Sequence, residues 1–285
     1  MTAPTAPTAP TAPAEAVLLL RLAGPLQSWG DRSAFNHRET RPEPTKSGVV
    51  GLLAAASGRA REEPIEDLVP LRLGVRVDQP GSLLRDYHTV SDFRGRPLPQ
   101  AGVSAKGVQK PTAPAKYTHV TTRYYLQDAV FLVGAAGPRE LLATLEQALR
   151  APAFPLALGR RSCPPTQPLV LGLRDLPLRE ALAAEPWQAS SRAQEEYAAL
   201  LGRERGAGHP VRPPRIDLSA TLEDPAGDDV RHDVPRTFDP RARGFTSRRV
   251  RHEWLRVPTG FPRPDAEADA PEDPADHDPF ALLGW

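Results

Sequence analysis

Apolar positions between residues 17 and 173 follow two alternating periods. VLLLRLA (17–23) sets Leu18, Leu20 and Leu22 on one side of a strand and Val17, Leu19 and Arg21 on the other. TKSGVVGLLAAASG (45–58) switches to the helical period, with Val49, Leu52, Leu53 and Ala56 as the apolar stripe, Thr45 placed to cap it and Gly58 to end it. LRLGVRV (71–77) alternates again: Leu71, Leu73, Val75 and Val77 are predicted inward, Arg72, Gly74 and Arg76 outward. DAVFLVG (128–134) predicts a third strand, PRELLATLEQALR (138–150) a second helix opened by Pro138, and PLVLGL (168–173) a fourth strand.

The order βαββαβ predicts an α+β, ferredoxin-like (RRM-like) domain with helices on one sheet face and the other face free to be open. Arg21, Arg72 and Arg76 would lie on that free face, where they suit RNA or simply face solvent. Between 91 and 120 the periodicity lapses into a segment rich in Gly, Pro, Lys and Arg, flanked by strand-like LLRDYHTV (83–90) and TTRYYLQ (121–127). This pattern predicts an inserted β-hairpin with a basic tip. Beyond 174 come two helical stretches and then RIDLSATL (215–222) and SRRVRHEWLRV (247–257), which suggest a small C-terminal unit.

Composition adjusts the ends of this picture. Residues 2–13 are four copies of Thr-Ala-Pro, which cannot bury a core and predict an extended arm. Residues 258–285 hold seven acids against one base, Arg263, so 35 bases face 28 acids in the rest of the chain. The excess suits a polyanion partner. The expected organisation is an arm over 1–15, the ferredoxin-like domain over 16–176 with its insertion at about 91–120, the small unit over 177–257 and a disordered acidic tail over 258–285. The single cysteine excludes an internal disulfide and a cysteine-cluster zinc site. The longest apolar run, AVLLL, is too short to span a bilayer. A cytoplasmic protein without cofactor or metal is expected.

Candidate chemistry centres on ALGRRSCPPTQP (157–168). Cys163 beside Arg160 and Arg161 could be a thiolate nucleophile, but free cysteine is usually buried and inert, and two prolines that stiffen the turn favour presentation of the arginines to phosphate. PTKSG (44–48) lacks the upstream glycines of a phosphate-binding NTPase loop, yet its helix start offers N–H groups with Lys46 and Gly48 beside them. Seven histidines show no metal-ligand spacing. Lys116, Tyr117 and His119 have the residue types of a metal-independent ribonuclease, and the same types stack on bases and hold phosphates.

LLLRLAGPLQSWG (18–30), RPEPTKSGVVGLLAAASG (41–58), LRDYHTV (84–90), LGRRSCPPTQPLVLG (158–172) and RRVRHEWLRVP (248–258) together resemble the CasD family of type I-E CRISPR Cascade subunits, within the fifth numbered Cas family and the RAMP superfamily. The resemblance implies a non-catalytic protein with a palm and a thumb hairpin that holds the 5′ handle of crRNA, beside a neighbouring backbone subunit and the large subunit of an antiviral ribonucleoprotein. It implies an RNA-binding set of Arg21, Gln27, Trp29, Lys46, Ser47, Gly48, Tyr87, His88, Lys106, Lys110, Arg160, Arg161 and Ser162. A sister branch cuts repeat RNA with Tyr, Lys and His, so the alternatives are an endoribonuclease using Lys116, Tyr117 and His119, or a general RRM-like RNA binder.

Overall fold

The computed structural model describes residues 15–30, 36–104 and 108–262. Lys106, the Thr-Ala-Pro arm through residue 14 and the tail from 263 lie outside them. The described elements are β1 (Glu15–Ala23), β2 (Leu26–Gln27), β3 (His37–Arg38), α1 (Lys46–Ala56), β4 (Arg72–Gln79), β5 (Ser82–Ser91), β6 (Pro99–Val103), β7 (Gln109–Pro111), β8 (Thr118–Gln127), β9 (Val130–Pro138), α2 (Arg139–Arg150), β10 (Val170–Arg174), α3 (Leu178–Ala184), α4 (Ser191–Glu204), β11 (Arg215–Glu223), β12 (Asp229–Thr237) and β13 (Gly244–Pro258). The protein is a mixed α+β fold dominated by antiparallel strands.

Seven strands form one sheet in the order β10-β1-β9-β4-β11-β13-β12, with every neighbouring pair antiparallel. On one face Leu18, Leu20, Leu22, Leu73, Val75, Phe131 and Val133 pack under Val49, Leu53, Leu142 and Leu145 of α1 and α2. On the other, Val17, Leu19, Leu132, Leu218, Leu255 and Val257 pack under Leu178 and Leu182 of α3 and under Trp187. Strand β1 is apolar at nearly every position because both of its faces are covered. Gly74 and Gly134 let α3 sit close: a Cβ on either would come within 2.7 Å of a leucine methyl of that helix.

The second layer overturns the expectation of an open, RNA-facing sheet surface at β1 and β4. Arg76 is 0% exposed. Its Nε and Nη2 bind both carboxylate oxygens of Asp78, at 2.8 and 2.7 Å, and its remaining N–H groups donate to the carbonyls of Leu182, Glu185 and Pro186. All five donors are used, as a buried guanidinium requires. Arg21 donates Nη2–H to the Gln188 carbonyl (2.9 Å), and exposed Arg72 pairs with Glu15.

The strands of the expected C-terminal unit continue this same sheet, because β11 pairs with β4 through Thr221 opposite Val75. β12 was not foreseen: DVRHDVPRT is mostly polar, with two aspartates, two arginines and a histidine, and contains proline, which an edge strand tolerates. The chain also stays packed past 258, where a disordered tail was expected. Buried Thr259 donates its hydroxyl to the Pro213 carbonyl (2.7 Å), and Phe261 meets Trp187 edge to face at 6.4 Å. Among the described residues no helix is long and apolar enough to cross a membrane.

Candidate nucleic-acid interface

Between β4 and β9 the chain leaves the sheet as a two-stranded arm. β5 and β8 pair over ten positions, from Ser82 opposite Gln127 to Ser91 opposite Thr118, and β6 and β7 pair beyond them. Opposite residues share a face, so His88, Val90, Thr121 and His119 lie on one side and Arg85, Tyr87, Thr122 and Tyr124 on the other. Among the described residues no helix covers either side. Tyr87 is 65% exposed, and Tyr117, Lys110 and Lys116 are exposed as well. His88 and His119 are half-buried diagonal neighbours. Lys116, Tyr117 and His119 share no hydrogen bond with one another among the described residues.

The arm's root is held by the GRRSC loop. Leu158 N–H donates to the Cys163 carbonyl (2.7 Å) and Cys163 N–H to the Arg160 carbonyl (2.9 Å), which closes a tight turn. Gly159, at φ +87°, lies against Ser28, where a Cβ would come 1.8 Å from the Ser28 oxygen; only glycine fits. Arg160 spans the junction: Nη1 donates to the Tyr124 carbonyl (3.0 Å), Nη2 to that of Arg38 (2.6 Å), and the guanidinium lies 4.8 Å from the Tyr125 ring centroid. Most of its donors therefore serve the fold. Arg161 and Ser162 are exposed, and the Arg161 side chain has no partner among the described residues. Cys163 is buried, and burial pushes its thiol up, away from a reactive thiolate.

Other expected contacts lie inside the protein. Buried Trp29, expected to stack on bases, donates its indole N–H to Gln27 Oε1 (3.1 Å). Gln27 is also buried and donates to the carbonyls of Leu22 and Ala129. Gly48 leaves room for that indole, since a Cβ would approach the Trp29 ring to 2.7 Å.

At the start of α1, Thr45 caps Gly48 N–H as predicted, but the anion position is already filled. Lys46 N–H donates to Asp233 Oδ2 at 2.8 Å, and its ammonium, 3% exposed, binds both Glu223 oxygens at 2.8 and 3.0 Å. Arg248 grips the same Asp233 through two bonds of 2.7 and 2.9 Å. Half-buried Ser47 meets the Thr45 hydroxyl at 3.3 Å. Burial pushes the Asp233 carboxyl up, but Arg248 and Lys46 outweigh it and hold the group below the usual range. The helix N-terminus thus takes a carboxylate of its own chain instead of a phosphate. Beside it a cavity of about 10 Å³ between Arg41, Glu43, Arg231 and Asp233 has room for about one water.

The two most exposed aromatics among the described residues escaped the sequence reading. Phe93, 90% exposed, carries Arg94 at 4.9 Å from its ring centroid near the arm's tip. Trp254, 71% exposed, stands on β13. Its signal was its phase: in HEWLRV the inward positions are Leu255 and Val257, so the indole falls on the polar side.

A family model described as CRISPR-associated protein (Cas_Cas5) matches residues 17–251. The chain belongs to this family. The CRISPR system Cascade subunit CasD of Escherichia coli (strain K12) is 32% identical over 213 residues, which are 68% of this chain and 84% of that protein. Among solved structures, a chain of a CRISPR RNA-guided surveillance complex superposes with a TM-score of 0.64 at 33% identity, covering 85% of this chain and 91% of its own. A crystal structure of a Cas protein reaches 0.60 at 40% identity, covering 86% of this chain and all of the other. The family match spans the sheet, the arm and the GRRSC loop.

Proposed function

We propose that this Cas5-family chain is the non-catalytic crRNA-binding subunit of a Cascade-type surveillance complex, holding the 5′ handle of the guide RNA and contacting the neighbouring backbone and large subunits. The observation that carries the reading is the correspondence with most of a Cascade subunit and with a chain of a surveillance complex. The order β1-α1-β4-β9-α2-β10, with sheet order β10-β1-β9-β4, supports a ferredoxin-like palm, and the β5–β8 arm has the position of a thumb between its second and third strands. In RNA-guided complexes base pairing reads the target, so such a subunit needs backbone and shape contacts. Tyr87, Lys110, Lys116 and Arg161 offer rings and cations in the open, and His88 beside them is half-buried. The expected contacts at Arg21, Gln27, Trp29 and Lys46 are set aside, because those side chains hold the fold.

Incubating the purified chain with its own CRISPR repeat RNA in EDTA tests the reading. Saturable binding with intact RNA is expected. Site-specific cleavage at the handle boundary, lost in His119→Ala, would instead establish the endoribonuclease alternative.

A further inference from the structure

We propose that the outer half of the β11–β13 ladder is a stacking platform for one unpaired base of single-stranded RNA, with Trp254 as the ring and Arg256 as the phosphate contact. The proposal deepens the RNA-binding reading above and rests on it. Trp254 lies opposite Ser219, Arg256 opposite Asp217, and His252 opposite Thr221, so these six side chains share one sheet face. The reverse face of the same strands is buried through Ile216, Leu218, Leu255 and Val257, which makes the platform stiff. Towards β12 the face is closed: Thr221 donates to Glu43 Oε2 (2.8 Å), and His252 is held between the Thr221 hydroxyl and Asp229, each at 3.0 Å. Beyond Thr221 nothing covers it among the described residues. Among the described residues, this is the stretch where the large sheet leaves an aromatic ring in the open beside a cation without an ion pair.

The chemistry selects the occupant. Of the three described tryptophans, Trp29 and Trp187 are buried and hydrogen-bonded, whereas Trp254 presents its ring to solvent. Its neighbours are polar: Ser219, Asp217, His252 and Arg256. A protein partner is expected to seek several apolar groups around a central anchor. A nucleotide needs one flat π face, a cation for its phosphate and an acceptor or donor for its base edge. Neither the Arg256 nor the Asp217 side chain makes a hydrogen bond or ion pair among the described residues, although they stand directly opposite each other; the first suits a phosphate and the second a base amino group. Glu43 and Arg41 lie on the same segment as His37 and Arg38, which pair with β8 at the arm's root, so the segment 37–43 links the platform to the thumb.

The test uses the full chain and two probes, an unstructured oligoadenylate about eight nucleotides long and its abasic ribose–phosphate counterpart, followed by fluorescence anisotropy over a salt series. Trp254→Ala is expected to weaken oligoadenylate binding about tenfold and to leave the abasic probe unaffected, while Trp254→Phe retains most of the affinity. Arg256→Ala is expected to weaken both probes and to lower the salt slope by about 0.7. Unfolding curves of the variants exclude a folding defect. Trp254→Ala that binds oligoadenylate like the wild type overturns the inference and leaves the functional reading standing. So does a Trp254→Ala chain that keeps RNA but no longer joins the rest of its complex, which would make the patch a protein contact. A wild-type chain that binds neither probe overturns the functional reading and the platform with it.

Discussion

At the start of α1 and along the outer β11–β13 face, the protein handles positive charge in opposite ways. Lys46 and Arg248 are enclosed and answered by Glu223 and Asp233, carboxylates that arrive from more than 170 residues away for Lys46. Arg256, and Arg161 at the arm's root, stand in the open without a partner among the described residues. A cation without an internal counter-ion is available to an external anion, whereas one inside a closed network is part of the scaffold. Local sequence barely distinguishes them. TKSG and GRRSC look equally suited to phosphate, and only the arrival of distant carboxylates separates their roles.

The sharpest test of the enclosed class is Asp78→Ala, which strands the buried Arg76 guanidinium. A loss of about 3–5 kcal/mol is expected in urea unfolding. A smaller loss, accompanied by weaker RNA binding, would return Arg76 to the exposed class. Asp233→Asn is expected to cost about 2–3 kcal/mol at neutral pH, because it weakens the Arg248 fork and the α1 N-terminal contact together. Its pH dependence is specific. The Asp233 pKa is depressed in the folded protein, so its stabilisation is present above the ordinary carboxylate value and is lost as pH falls through the lower, folded value. Stability measured below about pH 4 should therefore fall less steeply in the variant than in the wild type.

Gly48→Ala comes next, at about 2 kcal/mol, from forcing a methyl against the enclosed Trp29 ring. Unchanged RNA affinity in the folded variant would agree with Trp29 as a core residue. On the open side, Arg161→Ala should leave unfolding within about 0.5 kcal/mol of the wild type and lower the salt slope of RNA binding by about 0.7. An unchanged slope would remove Arg161 from the interface and leave the GRRSC loop as a purely structural turn.

These contrasts also explain what was legible in the sequence. Secondary structure was readable where one local signal sufficed: Thr45 as a cap, Gly58 as a stop, the alternation at 71–77 and the loss of periodicity within the arm. The sheet's second covering layer was not, because α3 is only seven residues long and Trp187 comes from an irregular segment. Arg76 was the informative miss. Asp78 lies two residues on, hence on the same side of the strand, and an Arg-x-Asp spacing within an otherwise apolar strand is a local sign of a buried pair. The described site residues divided accordingly: on the arm and its root Tyr87, Lys110, Arg161 and Ser162 are exposed and His88 and Arg160 half-buried, whereas Gln27, Trp29 and Lys46 are enclosed.

The arm has a mechanical consequence. β8 is bonded on both edges near its root, to β5 on one side and to β2 and β3 on the other, but outward from Thr121 only β5 accompanies it among the described residues. It is a cantilever, clamped at one end and compliant past the last clamp. Arg160 is the bolt of that clamp, since it ties β8 to the 38–39 segment and to its own loop. A load applied at Phe93 or Tyr117 would bend the ribbon near His88 before disturbing the sheet, and any force that passed the bend would reach the loop carrying Arg161 first.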